Sequence, residues 1–256
     1  MKFVRYQKDS RDVPKYGWIY DNMVGEVKGD IFGEFLRLEA TDPVYSVRFL
    51  PPVIPGKIIG VEWNYLDQVR AYERKIPDFP TLFMKPVSSL IGMNGEIELP
   101  SVSQLVEHEC ELAVIIGKRA KNILPEEAFS YIFGYTIAND ITARDLQESD
   151  ETWTRAKGFD TFCPMGPCIM TDFESADALL TCRVNGELRQ MASTRDLIFP
   201  VSSLIAFISS VMTLNPGDVI LTGSPAGSGI LTPGDMIESE IDGIGQLVNT
   251  VALREN

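Results

Sequence analysis

Two glutamates stand two residues apart in a segment whose composition predicts a buried strand. The segment EHECELAVIIGK runs from Glu107 to Lys118. Alternate side chains of a strand share one face, so Glu109 and Glu111 point the same way. Their side chains would lie about 7 Å apart, from a rise of about 3.3 Å per residue. Unpaired charges are costly in an apolar interior, so the sequence predicts a positive group beside them.

A third carboxylate follows where a second apolar segment ends. In GYTIANDITARDLQ the strand-like run stops at Asp140, and a short helix begins shortly afterwards. Three carboxylates with no cysteine or histidine among them are typical of a site for a hard cation such as Mg²⁺, Mn²⁺ or Ca²⁺. The alternative is that the two glutamates lie on an exposed edge strand or pair with arginines.

Further polar groups could complete such a site. Lys157 lies in AKGFDTF, where its ammonium could hold a substrate carboxylate or stabilise an enolate, or could be an ordinary surface group. Arg144 and Gln147 lie one helical turn apart, so Arg144 could bind a substrate carboxylate or form a structural salt bridge. The loop TGSPAGSG begins with Thr222 and Gly223 and could present amides and a hydroxyl to an anion, or be a tight turn.

The single histidine, His108, is expected to be structural. It falls on the strand face opposite the two glutamates, together with Cys110. A Ser/His/Asp or Cys/His triad is therefore disfavoured, since the imidazole would point away from the carboxylates. A zinc site formed by His108 and Cys110 is a weaker alternative, because two ligands two residues apart are a weak signal.

Composition restricts the class of protein. The chain has 256 residues, a formal net charge of −13 and 45% hydrophobic residues, which suits a globular enzyme and argues against nucleic acid or anionic membrane as a partner. Its four cysteines lack CxxC spacing and are typical of reduced cytosolic thiols. No apolar window approaches the length of a membrane span, so we expect a cytoplasmic location.

The order of elements predicts a β-dominated α+β fold. Residues 1–52 hold the strand-like runs KFVRYQ, YGWIYD and YSVRFL and end at a proline pair, so we expect a small β-rich subdomain followed by a catalytic domain over residues 53–256. Helical periodicity predicts helices over Asn64–Lys75 and Pro200–Thr213. The dipeptide Asn185-Gly186 predicts a β-hairpin.

Several motifs, in this order, resemble the fumarylacetoacetate hydrolase family: HECELAVIIGKRAKNI, GYTIANDITARDLQ, TRAKGFDTFCPMGP, VNGELRQ, PGDVILTGSPAGSG and IDGIGQLVNTV. The resemblance runs from about Lys57 to Val251. It is strongest to a bacterial branch named for 2-hydroxyhepta-2,4-diene-1,7-dioate isomerase and 5-oxopent-3-ene-1,2,5-tricarboxylate decarboxylase. It implies a mixed β-roll, usually a homodimer, acting on a small dicarboxylate.

The resemblance also implies roles for individual residues. It makes Glu109, Glu111 and Asp140 the ligands of a divalent metal, Mg²⁺ or Mn²⁺ with Ca²⁺ as a further option. It makes Lys157 the active-site lysine and assigns the loop at Thr222 to the substrate carboxylate.

The sequence departs from the family pattern at one helix, called here the lid helix. Members that hydrolyse carbon–carbon bonds typically carry NYxDHxxE there, whereas this chain has NYLDQVRA, with Gln68 and Ala71 in place of the water-activating pair. Glutamine cannot carry a proton near neutral pH, and alanine cannot orient a partner. The predicted substrate-binding residues include Tyr65 and Gln68. Glu62, where the family often has glycine, is the predicted substitute base.

Three functions follow from this pattern. The first is metal-dependent decarboxylation or isomerisation, including tautomerisation, of a small 2-oxo or 2-hydroxy-dienoic dicarboxylate, which needs no attacking water. The second is hydrolysis of an acylpyruvate, with Glu62 or Asp67 as the base. The third is a catalytically silent protein that binds metal and dicarboxylates.

Overall fold

The computed structural model describes residues 1–254, in which strands form 43% and helices 17% of the structure, so the β-dominated prediction is confirmed. The strands are, in chain order, β1 (Lys2–Gln7), β2 (Lys15–Tyr20), β3 (Met23–Gly29), β4 (Phe35–Pro43), β5 (Arg48–Leu50), β6 (Ile58–Glu62), β7 (Thr81–Lys85), β8 (Leu90–Ile91), β9 (Glu96–Leu99), β10 (Val106–Glu107), β11 (Cys110–Ile116), β12 (Ile132–Asn139), β13 (Thr142–Ala143), β14 (Cys163–Met170), β15 (Leu179–Val184), β16 (Glu187–Ser193), β17 (Val219–Leu221), β18 (Met236–Ile241) and β19 (Gly245–Leu253).

The helices are few and short. The α-helices are α1 (Leu66–Ala71), α2 (Arg144–Ser149), α3 (Thr154–Lys157) and α4 (Val201–Val211). Short 3-10 segments cover Val44–Ser46, Val87–Ser89, Pro125–Tyr131 and Thr194–Asp196. Within residues 1–254, no helix combines the length and the apolar character needed to cross a membrane.

Two sheets build most of the fold. The larger has the order β4-β3-β2-β1-β14-β12-β11-β17-β6-β7, with β5 added at β1 and β8 at β14. The smaller has the order β16-β15-β18-β19-β9, and β10 pairs with β13 on its own. Because β1 pairs with β14, placing Phe3 opposite Ile169, the strands of residues 1–52 extend the same sheet that carries the central acidic strand.

The central strand β11 is buried on both faces, as its sequence predicts. Cys110, Leu112 and Val114 pack in a cluster that includes side chains of the smaller sheet and of α4. Ala113 and Ile115 pack in a second cluster on the opposite face. This alternation determines the face of the sheet to which each side chain at the start of β11 points.

The strand predicted over Glu107–Lys118 is interrupted, which corrects the sequence expectation. β10 ends at Glu107 and pairs with β13, whereas β11 begins at Cys110 and pairs with β12. The His108 N–H donates to the carbonyl of Gly229 at 3.3 Å, outside either ladder. The chain therefore changes partner strand at His108 and Glu109. This irregularity lies at the acidic cluster, the name used here for the carboxylates of Glu109, Glu111 and Asp140.

Some elements differ from their predicted extent. The lid helix, predicted over Asn64–Lys75, covers only Leu66–Ala71, because Glu73 adopts a left-handed conformation with φ of 51°. The Asn185-Gly186 hairpin is confirmed, with φ of 53° and 78° and the partners β15 and β16. Helix α4 lies within its predicted range, and Val211, its last residue, is 57% exposed.

Gly60 leaves room for an aromatic ring beside the acidic cluster. A Cβ at Gly60 would lie 2.1 Å from Phe83 Cζ, and the Phe83 ring centroid lies 4.5 Å from Lys157 Nζ. We expect Gly60→Ala to force the ring aside and to lower the free energy of unfolding by about 1–3 kcal/mol, measured by chemical denaturation. Gly33→Ala is the control, since its Cβ would approach only the Asp30 side chain, at 3.3 Å. Equal stabilities of the two variants would contradict this packing.

Candidate active site

Four neighbouring strands bring polar residues to one edge of the larger sheet. β12, β11, β17 and β6 are adjacent; β11 is antiparallel to both its neighbours, and β6 is parallel to β17. The ends of β12, β17 and β6 therefore meet the start of β11. Asp140 follows β12, Gly223 lies just beyond β17, Glu62 ends β6, and Glu111 lies at the start of β11. Strand direction alone thus gathers these residues.

The ammonium group of Lys157 lies among these carboxylates. Lys157 ends the short helix α3 and is completely buried. Its Nζ donates to Glu109 Oε2 at 2.9 Å and to Asp140 Oδ2, and lies 3.4 Å from Glu62 Oε2. The positive charge that the sequence requires near the glutamates is therefore supplied by this lysine, together with Arg144.

Arg144 connects two glutamates of the cluster. Its Nε donates to Glu107 Oε2 at 2.8 Å, and its Nη2 donates to Glu109 Oε1. The Thr142 hydroxyl donates to the other oxygen of Glu109, Oε2, at 3.0 Å. Burial alone would raise the pKa of Glu109, but the charges of Arg144 and Lys157 lower it to about 2. Of the two roles open to Arg144, the structure shows the internal salt bridge.

Asp140 is held by two lysines. Lys85 Nζ donates to Asp140 Oδ1 at 2.6 Å and to the carbonyl of Ile141 at 3.1 Å, while Lys157 takes Oδ2. The sequence analysis did not identify Lys85, whose side chain is fully buried. A usable signal was present, because Lys85 shares one face of β7 with the buried Phe83.

Glu111 has a different environment from the other two predicted ligands. Its Oε2 accepts the Gly223 N–H at 2.5 Å, and none of the ion pairs of residues 1–254 includes it. Burial raises the pKa of Glu111 well above its usual range, and the charges of Asp140 and Glu109 raise it further. A nearby cation would remove this penalty.

The donor set fits a hard divalent cation. The buried charged side chains at this edge are four carboxylates and three cations: Glu62, Glu109, Glu111 and Asp140 against Lys85, Arg144 and Lys157. With all four carboxylates ionised, four negative charges less three positive charges leave one negative in excess. Within residues 1–254 no three acidic, His or Cys side chains are already grouped around a metal position. The ammonium of Lys157 lies between Glu109 and Asp140, so the ligand assignment stays a prediction that the oxygen chemistry supports.

Glu62 is linked to this cluster through two polar groups. Its Oε2 lies 3.4 Å from Lys157 Nζ and accepts from Gln147 Nε2 at 3.4 Å, while Gln147 Oε1 accepts from Arg144 Nη1 at 2.7 Å. Burial raises the pKa of Glu62 more strongly than the charge of Lys157 lowers it. Glu62 is therefore a buried carboxyl group that can hold or accept a proton.

The lid helix carries buried polar atoms that have no partner within residues 1–254. These are the Tyr65 hydroxyl and Gln68 Oε1, while Ala71 on the same helix is exposed. Asn64 fixes the start of the helix, since its Nδ2 donates to the carbonyl of Thr222 at 2.7 Å. Gln68 and Ala71 lie about one helical turn apart, at the positions of the family's water-activating pair, with Gln68 buried and Ala71 exposed.

The Thr222 loop presents a backbone amide to the carboxylates, whereas its Thr222 hydroxyl is used elsewhere. The Thr222 hydroxyl donates to the carbonyl of Leu112 at 3.0 Å, so it is used within the sheet. The Gly223 N–H, in contrast, donates to the carboxylate of Glu111. Gly223 has φ of 102°, and a Cβ there would lie 2.8 Å from the Asn64 Cβ. The roles of this loop and of the lid helix in binding substrate stay predictions.

His108 lies away from the carboxylates, on the side predicted from strand alternation. Its Nδ1 lies 3.2 Å from Gln190 Oε1 and 3.5 Å from Cys182 Sγ. Burial lowers the pKa of His108, so the neutral imidazole is favoured. A histidine-based triad at the acidic cluster has no support in this arrangement.

Family models match both parts of the chain. Residues 57–252 match the family described as Fumarylacetoacetate (FAA) hydrolase C-terminal, and residues 1–52 match the one described as Rv2993c-like, N-terminal. The first match covers the strands, helices and loops that carry the site.

Similar proteins include a curated enzyme and solved structures. The human mitochondrial protein named oxaloacetate tautomerase FAHD2A is 40% identical over 222 residues, 82% of this chain and 71% of that protein. A structure of 2-hydroxyhepta-2,4-diene-1,7-dioate isomerase from Mycobacterium marinum has a TM-score of 0.92 and 39% identity, covering 100% of both chains. Maleylpyruvate hydrolase from Sphingobium sp. SYK-6, solved with manganese(II) and pyruvate, has a TM-score of 0.82 and 29% identity, again covering 100% of both chains.

The names of these relatives fall in the family that the sequence motifs resemble, and the solved structures have the same fold as this chain. The family includes isomerases, hydrolases and an oxaloacetate tautomerase, and its enzymes generally use divalent metals. On the match over residues 57–252 and the full-length structural similarity, the chain belongs to the fumarylacetoacetate hydrolase family.

Proposed function

We propose that this chain is a keto–enol tautomerase of a small 2-oxo dicarboxylate and that it depends on Mg²⁺ or Mn²⁺ held by Glu109, Glu111 and Asp140. The observation that carries the proposal is the buried pair of Glu62 and Lys157, 3.4 Å apart, directly beside those carboxylates. The 40% identity to a protein named for oxaloacetate tautomerisation supports the same reaction class.

The reaction moves one proton between carbon and oxygen. When bound, the divalent cation supplies a Lewis acid that stabilises negative charge on the 2-oxo oxygen. In the keto-to-enol direction Glu62, a carboxyl group with a raised pKa, takes the proton from carbon 3 and passes it to the 2-oxo oxygen. In the enol-to-keto direction it takes the enol hydroxyl proton and passes it to carbon 3. The Lys157 ammonium balances the negative charge that develops on the substrate oxygen.

The lid helix supports tautomerisation over hydrolysis. Hydrolysis of a carbon–carbon bond requires a base that activates an attacking water. Tautomerisation has no attacking water and requires only a base for the substrate proton. Gln68 offers only an amide, and Ala71 is exposed and apolar. Glu62, the buried carboxyl group proposed to take a proton, lies on a different element, β6.

One experiment compares the three reactions. Purified chain with Mg²⁺ is mixed with the enol form of oxaloacetate, and separately with an acylpyruvate, while enol absorbance, carbon dioxide and pyruvate are followed. We expect fast conversion of enol to keto oxaloacetate that EDTA stops, without pyruvate from the acylpyruvate. Pyruvate from the acylpyruvate without tautomerisation would overturn the proposal in favour of hydrolysis, and release of carbon dioxide would favour decarboxylation. Tautomerisation would exclude the catalytically silent alternative.

Restoring the water-activating pair provides a further prediction. Gln68→His combined with Ala71→Glu is expected to raise the rate of acylpyruvate hydrolysis about 10²-fold above that of the unaltered chain. This factor is the lower end of what a positioned base contributes. The measurement is pyruvate release, and Gln68→His alone is the matched control. An equal rate in the unaltered chain would show that this chain already has a different water-activating base.

A further inference from the structure

Two of the predicted metal ligands have one oxygen fixed and one oxygen facing Lys157. Arg144 holds Glu109 Oε1, and Lys85 holds Asp140 Oδ1 at 2.6 Å. The other oxygens, Glu109 Oε2 and Asp140 Oδ2, both accept from Lys157 Nζ. The fixed contacts orient the carboxylates, and the remaining oxygens converge on a single ammonium group.

A divalent cation bound by Glu109 and Asp140 would approach the two oxygens that face Lys157, although the Thr142 hydroxyl also donates to Glu109 Oε2 at 3.0 Å. Arg144 and Lys85 each hold the opposite oxygen through a buried ion pair, so neither carboxylate can turn without breaking one. Three hydrogens of an ammonium group and a hard dication seek the same lone pairs, and like charges repel strongly at short range in a buried site. Lys157 and the cation therefore compete for these two oxygens.

Lys157 has a second position within reach. Glu62 Oε2 lies 3.4 Å from its Nζ, and the Phe83 ring centroid lies 4.5 Å away, so a carboxylate and an aromatic face remain available when the contact with Asp140 is lost. A small movement would therefore keep the ammonium paired.

We propose that Lys157 is an internal competitor of the divalent cation: its ammonium holds Glu109 and Asp140 together in the metal-free chain and moves from Asp140 to Glu62 when the cation binds. This inference rests on the metal requirement of the proposed function but not on the reaction. It explains how Glu109 and Asp140 stay assembled without metal. It also brings Lys157 closer to Glu62, the proposed base, when the cation is bound.

Metal affinities of two lysine variants test the competition. Metal-stripped full-length protein is titrated with Mn²⁺ by calorimetry, without substrate. Lys157→Met is expected to bind Mn²⁺ more tightly by at least about tenfold. Lys85→Met is the matched control, because it removes the same charge from the other oxygen of the same aspartate and also removes the anchor of that aspartate. No gain in Lys157→Met, or an equal gain in both variants, would overturn the inference, since an equal gain means that only net charge is sensed.

Crystal structures of the unaltered chain provide a test that does not depend on the folding of a variant. Crystals are grown with EDTA and with Mn²⁺, and the ion is located by its anomalous signal. We expect Lys157 Nζ on Asp140 Oδ2 with EDTA and on Glu62 with Mn²⁺ bound to the carboxylates. An unchanged contact between Lys157 and Asp140 in the Mn²⁺ crystal would overturn the inference. If both metal results hold but tautomerase activity is lacking, the proposed function alone fails.

Discussion

Asp140→Asn is expected to remove divalent-metal binding and turnover together. The carboxylate is fully buried, and each of its oxygens accepts from a different lysine. An amide keeps the shape but offers one acceptor oxygen and no charge. We expect metal affinity to fall more than about 100-fold, beyond the 10- to 100-fold typical of groups behind a ligand, and turnover to fall in parallel. The free energy of unfolding should also fall by about 3–5 kcal/mol, because buried Lys85 loses its one ion pair within residues 1–254 and buried Lys157 loses one of its three.

The chain contains a matched control for that loss of stability. Asp218 is also buried and pairs with Lys57, but it lies just before β17, at the end of the strand away from Thr222. Asp218→Asn should lower the free energy of unfolding while leaving Mn²⁺ affinity unchanged, as measured by calorimetry and chemical denaturation. If both variants retained wild-type Mn²⁺ affinity, Asp140 would not be a metal ligand.

Glu62→Gln is expected to lower kcat by about 10²- to 10⁴-fold, the usual contribution of a positioned base. Glutamine has nearly the same shape and can keep a polar contact near Gln147, but it cannot accept the proton from carbon 3. Metal affinity should fall less than in Asp140→Asn, because Glu62 is not among the predicted ligands but is the second partner proposed for Lys157. The measurements are the decay of enol oxaloacetate and the exchange of the carbon 3 hydrogen in D₂O.

Glu107→Gln provides the control for removal of an acidic charge. Glu107 accepts from Arg144 Nε at 2.8 Å and has no contact with Lys157 within 4.0 Å, so its loss should leave hydrogen exchange at carbon 3 nearly unchanged. Equal losses of kcat in Glu62→Gln and Glu107→Gln would indicate a general electrostatic effect and would count against Glu62 as the base.

Local regularity explains which parts of the site were predictable from sequence. Strand alternation places Glu109 and Glu111 on one side of the chain, and helical spacing places Arg144 beside Gln147. Both relations depend on residues close together in the chain. The contact of Lys85 with Asp140 spans 55 positions and joins β7 to the residue after β12, so alternation along β7 indicates that Lys85 is buried but not which carboxylate it contacts.

The same distinction applies to the fold. The Asn185-Gly186 turn and the two-sided burial of β11 follow from short sequence signals. Strand β4 was not predicted, because it is an edge strand with mostly exposed side chains and charged residues such as Arg37 and Glu39. The interruption at His108 was not predicted either, because it depends on the carbonyl of Gly229, far along the chain.

The central claim is that Glu109, Glu111 and Asp140 hold one divalent cation. Replacing Glu111 tests this claim with the least disturbance, because none of the ion pairs of residues 1–254 includes Glu111. Its replacement therefore leaves no lysine or arginine without its partner. The measurement is an equilibrium titration of metal-stripped chain with Mn²⁺, followed by electron paramagnetic resonance. We expect one bound ion per unaltered chain and none for Glu111→Gln at the same concentration. Failure of the unaltered chain to bind Mn²⁺, or equal binding by Glu111→Gln, would contradict the claim.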